Sequence, residues 1–164
     1  MTATKGGAPI HEDVTALVAS RGPLMGLDLG TRRIGIAVSD ALRMTATPLE
    51  TVNRTKFRAD AEKLQALIAG RGVAGVILGL PRNMDGSEGP RCQSTRAFAR
   101  NLSGLIAIPI AFWDERLSTV AVERTLIAAD SSRKRRAEVI DKLAAAYILQ
   151  GALDRLGAVS GNGQ

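Results

Sequence analysis

Two apolar runs, Val73 to Leu80 (VAGVILGL) and Ile106 to Trp113 (IAIPIAFW), limit most strongly what this chain can fold into. Neither alternates apolar with polar residues, which is how a strand buried on both faces reads. Such strands need helices above and below them. Between the runs, Cys92, Thr95, Phe98, Ala99 and Leu102 recur at helical spacing from about Pro90 to Ser103, with Arg91, Arg96 and Arg100 off the stripe. A second stripe, Phe57, Ala61, Leu64, Leu67 and Ile68, ends at Gly70 and Gly72. After Trp113, Ser118 or Thr119 can cap a helix to about Ala129, and a long helix is expected from Ala137 to Leu156. Strand and helix in alternation give an α/β sheet.

The sheet opens differently. Gly26 to Asp40 (GLDLGTRRIGIAVSD) holds two short runs of period near 2 joined by a tight Gly-Thr-Arg-Arg link, the pattern of an antiparallel hairpin. Thr45 to Val52 adds a third strand, with Pro48 marking an edge or bulge. Residues 1–22 and 157–164 lack periodicity and read as mobile tails around a domain spanning 23–156.

Three positions carry acids where acids are costly. Asp28 lies between Leu27 and Leu29, so alternation sends it to the opposite face beside Gly26 and Gly30. A carboxylate there costs several kcal/mol of desolvation unless something cationic compensates. A metal or a phosphate-bearing ligand is a natural candidate, and the bland alternative is an Asp that caps the turn or pairs with Arg32 or Arg33. Asp114 and Glu115 close a buried strand, one to each face, where ligands of open α/β sheets collect. Asp141 has Ala137, Ala144, Ala145 and Ile148 as helical neighbours, and its bland reading is a salt bridge to an arginine of another element. Carboxylates from a strand, a strand end and a helix could instead converge on hard cations, two of which hydrolyse phosphodiesters in nucleases.

The charge balance agrees with a polyanionic partner. The net charge is +6, and 17 of 22 cations are arginine, which binds phosphate bidentately. The run Arg133-Lys134-Arg135-Arg136, read as a loop before the Asp141 helix, could clamp phosphates, as could Arg32, Arg33, Arg82 and Arg116. Aromatics make up only 3% of residues, so base-stacking platforms are few. His11 is the single histidine and Cys92 the single cysteine, which argues against zinc and against an internal disulfide. Cys92 reads first as a small core residue, although its place in the first turn of a helix leaves an oxidative cross-link between two chains open. No apolar stretch suits a membrane span, and Glu12 and Asp13 stand where a secretory signal would be apolar, so a cytoplasmic location is expected.

Four blocks, GLDLGTRRIGIAVSD, LGLPRNMDGSEG, DERLST and VIDKLAAAYILQ, resemble in order and spacing the signatures of the YqgF (RuvX) family, over about residues 24–156. The resemblance implies a ribonuclease H-like fold: a mixed five-stranded sheet opened by an antiparallel hairpin, with helices on both faces. It also implies a metal-dependent nuclease using two Mg²⁺ or Mn²⁺ ions, acting in 5′-end maturation of pre-16S rRNA or, alternatively, as a Holliday junction resolvase. On the family's pattern Asp28, Glu115 and Asp141 are the catalytic metal ligands, with Asp114 a support behind them. One departure stands out: Lys142 and Leu143 follow Asp141 where relatives often carry a polar Ser-Ala-type sequence.

Two other functions compete. Asp-Leu-Gly-Thr after a strand also resembles the first phosphate loop of actin-like and sugar-kinase proteins, but a second phosphate motif and a second large domain are not found in these 164 residues. A non-catalytic RNA-binding assembly factor is disfavoured because all three acids are retained. Symmetric cleavage of a four-way DNA junction would require two active sites, hence a homodimer.

Overall fold

In the computed structural model, residues 2–3, 7–117 and 133–162 are described, with side chains for 7–117 and 139–160. Seven strands form one sheet: β1 (Thr2–Ala3), β2 (Pro9–His11), β3 (Leu24–Leu29), β4 (Arg33–Ser39), β5 (Ala46–Asn53), β6 (Gly75–Leu80) and β7 (Ile110–Asp114), in the order β1-β2-β7-β6-β3-β4-β5. The five strands of five or more residues are those expected, and β1 and β2 extend the sheet beyond them. β3, β4 and β5 pair antiparallel, whereas β3, β6, β7 and β2 run parallel. Pro48 sits on edge strand β5 opposite a register shift at Ile36/Ala37, where the missing N–H costs no ladder bond.

β6 begins at Gly75 and β7 at Ile110 because Val73 and the Ile106 to Pro109 stretch only lead into the strands. The described helices are α1 (Phe57–Arg71), α2 (Pro90–Ser103) and α3 (Arg133–Asn162). Gly72, in the left-handed conformation, ends α1. One sheet face packs Met25, Leu27, Ile34, Ile36 and Leu78 against Ala61, Leu64, Cys92, Phe98 and Leu102 of α1 and α2. The other packs Leu24, Ala37, Ile77, Ala111 and Trp113 against Ala144, Ala145, Ile148, Leu149, Ala152 and Leu153 of α3. Helices therefore cover both faces, as the unbroken apolar strands require.

Both expected tails need correction. Ala8 donates its N–H to Ser103 and is buried, β2 pairs with β7, and a 3₁₀ turn (Val14–Leu17) buries Val14 and Leu17 under α3. Arg43 then ties this segment down, donating to the carbonyls of Leu17 and Gly22 and to Ser20 Oγ. Adding three residues in parallel to a sheet edge leaves no periodic trace in sequence. At the other end, residues 157–162 continue α3. The helix expected from Ser118 or Thr119 to Ala129 lies outside the described residues, and Arg133 to Arg136 are helical in backbone rather than a loop. Among the described residues no helix is long and apolar enough to cross a membrane.

Candidate active site

β3 presents Leu24, Gly26 and Asp28 to the face carrying α3. Leu24 belongs to the core beneath that helix, and a Cβ at Gly26 would stand 2.7 Å from Leu149 Cβ. Asp28, two residues on, shares that face and is 5% exposed. Its neighbours across the sheet are both glycines. Gly35 is its partner on β4, and the β3–β6 register, continued one residue past Leu27–Leu78, sets Gly79 beside it.

Each glycine accommodates something specific. A Cβ at Gly35 would collide with the Asp141 carbonyl, so the α3 backbone rests directly on this position. A Cβ at Gly79 would stand 3.1 Å from Glu115 Oε1 and 2.5 Å from Ile148 Cδ1. Asp28 is thus flanked by the Glu115 carboxylate on one side and the Asp141 segment of α3 on the other. Glu115 and the Asp141 backbone therefore lie on the sheet face that carries Asp28. Glycine inside a strand signals close backbone approach, and Gly35 and Gly79 carried that signal without being read for it.

Asp141 is engaged by a cation. Arg33 Nε donates to its Oδ2 at 2.7 Å, in a pair whose side chains are 31% and 17% exposed. The bland reading of Asp141, a salt bridge to an arginine of another element, therefore holds in this structure. Among the described residues no three His, Cys, Asp or Glu side chains stand close enough to hold one ion. The donor set nonetheless suits a hard cation, being carboxylate oxygen throughout, and the missing side chains at Gly35 and Gly79 leave the flanks of Asp28 open to the other two acids.

Asp114 is the last residue of β7, and Glu115 opens the 3₁₀ turn Glu115–Leu117 that follows, so the alternation expected across the pair stops at Asp114. Asp114 accepts from Arg116 Nη2 at 2.7 Å and from the Arg116 N–H, with Arg82 Nε 3.9 Å away. The Arg116 hydrogen bond holds its carboxyl below the ordinary range. Arg116 also donates to Met84 O and bounds Gly86, whose φ of +90° the turn requires, bracing the loop after β6. That loop is otherwise closed by Asp85, which accepts from Ser87 N–H and Oγ. Arg82 bonds Glu88 at 3.3 Å.

Arg96, between Glu88 and Glu12 at 2.7 Å each and 4.9 Å above the Phe112 ring, fastens the N-terminal segment to α2. Sequence reasoning missed this cluster, since its members lie far apart in the chain. Of the arginines expected to meet phosphates, Arg82 and Arg116 are ion-paired, Arg33 holds Asp141, and Arg32 is exposed beside it. The side chains of Arg133, Lys134, Arg135 and Arg136 lie outside the described ones. Cys92 is fully buried, which settles its reading as core.

A sequence profile of the RuvX family, described as Holliday junction resolvase, matches residues 22–155. A protein of Cereibacter sphaeroides named "Putative pre-16S rRNA nuclease" is 66% identical over 150 residues, spanning 90% of this chain and 94% of that one. Among solved structures, Thermus thermophilus RuvC in complex with a Holliday junction substrate superposes with a TM-score of 0.51 at 14% identity, over 83% of this chain and 96% of that one. The yeast mitochondrial Holliday junction resolvase Ydc2 does so with a TM-score of 0.50 at 10% identity, over 91% of this chain and 86% of that one. At these identities the two structures speak for the fold, which is the ribonuclease H-like one expected.

Proposed function

We propose, from the premise that this chain belongs to the RuvX family of Holliday junction resolvases, that it is a divalent-metal-dependent nuclease whose substrate is the 5′ region of precursor 16S rRNA. The observation that supports this is the placement of Asp28, nearly buried on the sheet between Gly35 and Gly79, with Glu115 over one glycine and the Asp141 segment of α3 over the other. Asp28, Glu115 and Asp141 would hold Mg²⁺ or Mn²⁺, and two such ions when bound would activate the attacking water and stabilise the leaving oxygen of a phosphodiester.

The chain's own residues do the rest. β3 fixes Asp28 on a rigid element, and Glu115 follows directly on the end of β7, which limits the ordering their carboxylates need on binding. Arg33 neutralises Asp141 in the absence of metal, and on release is placed to meet a substrate phosphate at the same spot. Asp114 acts through Arg116, keeping the loop from Pro81 to Ser87 in place beside the site.

A four-way DNA junction is the second reading, favoured by the description of the matched family. Cleavage of precursor 16S RNA and of an immobile junction, side by side with Mg²⁺ or Mn²⁺, separates the two. Asp28→Asn should lose cleavage of whichever substrate the wild type cuts, together with most of the rise in melting temperature that metal gives the wild type by mass action. A variant that still cleaves would overturn the assignment of the acids.

A further inference from the structure

We propose that the substrate strand, having passed the acid cluster, crosses the β3–β4 turn and lays its next phosphates in a second hollow on the opposite side of the sheet, held by Arg54 and Arg91. This rests on the nuclease reading above and extends it to residues that no signature block singles out.

Two hollows adjoin at that turn. One, of about 370 Å³, is lined by Gly30, Thr31, Arg32, Arg33, Arg91 and Asp141, and so reaches one of the three acids. The other, of about 520 Å³, has Arg54, Thr55, Ser94 and the start of α2 in its wall. They share Gly30, Thr31 and Arg91, so the path between them is continuous.

The charges along this path differ from those elsewhere on the molecule. Arg82, Arg96 and Arg116 each have a carboxylate partner. Among the described residues, Arg32, Arg54 and Arg91 have none: Arg54 donates Nη1 to Gly30 O at 2.6 Å and stacks 5.7 Å over Phe98, which fixes its stem, while Arg91 makes only a 3.5 Å approach to Leu29 O. The carboxylates nearest the path are already engaged, Asp141 by Arg33 and Asp60 by the Thr55 N–H and hydroxyl. Ser94 contributes a hydroxyl, and Gly30 keeps the turn low, since a Cβ there would meet Arg33 O at 2.9 Å. Guanidiniums without a carboxylate partner in a continuous concave wall match successive phosphodiesters, which arginine receives bidentately.

Binding measured without cleavage, in Ca²⁺ or EDTA, tests this on both precursor RNA and a four-way junction. On a duplex arm, Arg91→Ala should make the slope of log affinity against log salt shallower by about 0.9, and Arg54→Gln with Arg91→Ala by about 1.8. Arg100→Ala, exposed on α2 outside both hollows, should leave the slope alone. Arg91 is exposed, so its variant reports even if Arg54→Gln loosens the turn. Wild-type binding and cleavage with an unaltered slope for Arg91→Ala overturns the path and leaves the nuclease reading standing. A wild type that neither binds nor cleaves overturns both. Protection of the wild type against melting by inorganic phosphate, lost in the double variant while the nucleic-acid slope is unchanged, would assign the hollow to a free anion and refute the strand.

Discussion

Gly35→Ala is the substitution through which the packing of α3 and the geometry of the site can be read together. The added methyl would collide with the carbonyl carbon and oxygen of Asp141 and stand 3.0 Å from Lys142 N, against backbone that has no rotamer to escape into. α3 cannot tilt away cheaply either, because Ala144, Ala145, Ile148, Leu149, Ala152 and Leu153 are buried against the same sheet face. The cost should therefore sit at the upper end for overpacking, about 3 kcal/mol. For a chain of this size that lowers the melting temperature by about 6 to 12 °C. The retreat of the helix carries Asp141 away from Asp28, and a displacement near 1 Å costs about a hundredfold in rate. Gly70→Ala is the contrast: its Cβ meets nothing within 4 Å inside a helix, so it should gain up to about 1 kcal/mol. Urea melts of the three proteins, with cleavage assayed below the transition, provide the measurement. A Gly35→Ala protein within 0.5 kcal/mol of wild type would refute the claim that α3 rests on this glycine.

Arg33→Ala should free Asp141 from a partly exposed pair worth up to about 1 kcal/mol, so the Mg²⁺ or Mn²⁺ concentration giving half the metal-induced stabilisation should fall about two- to fivefold; an unchanged midpoint would show that Arg33 and metal do not compete. Arg96→Ala removes the Phe112 contact and the partner of Glu12 and Glu88, costing about 1 kcal/mol at pH 7 and opening residues 8–17 to proteolysis. Arg96 holds both carboxyls below their ordinary range, so this stability is fully present above the ordinary value of 4.5 and is lost as pH falls through the lowered values; the gap in melting temperature between wild type and variant should narrow from pH 7 to pH 3, and parallel acid limbs would contradict the linkage. Cys92 should resist thiol reagents in the native state, since burial pushes its thiol up, and react at once in urea; a cross-linked dimer on non-reducing electrophoresis would contradict its burial.

Much of the site was legible because strand alternation is a local rule. Period 2 placed Asp28 opposite Leu27 without knowledge of what lay above the sheet, but it could not be carried to Glu115, which the fold puts in a 3₁₀ turn past the end of β7. The hairpin, the edge at Pro48 and the helix from Pro90 to Ser103 followed from equally local chemistry. What escaped was long-range. The Arg33–Asp141 bond joins residues 108 apart in sequence, and its partner could be named only as an arginine of another element. Glu12, Glu88 and Arg96 are an exposed-looking trio until the fold pairs both carboxylates with Arg96 over the Phe112 ring. Residues 8–22 escaped for a different reason: their order comes from an edge offered by β7 and from Arg43, not from any pattern of their own.

The position of β2 also bears on the order in which the protein can assemble. Ile10 pairs with Ile110, so the second strand made by the ribosome, with only the two residues of β1 to pair with at first, joins the rest of the sheet after a hundred more residues have emerged. Closing so long a loop is entropically slow and is rewarded by a ladder of only two residue pairs, Ile10–Ile110 and His11–Ala111. β3, β4 and β5 are contiguous in the chain and can pair as they appear. The N-terminal segment must then dock on a sheet that already exists, as one of the last steps of folding. Deleting it would expose the edge of β7 without touching the nucleus around the hairpin, so the unfolding rate would rise while the folding rate stayed nearly unchanged.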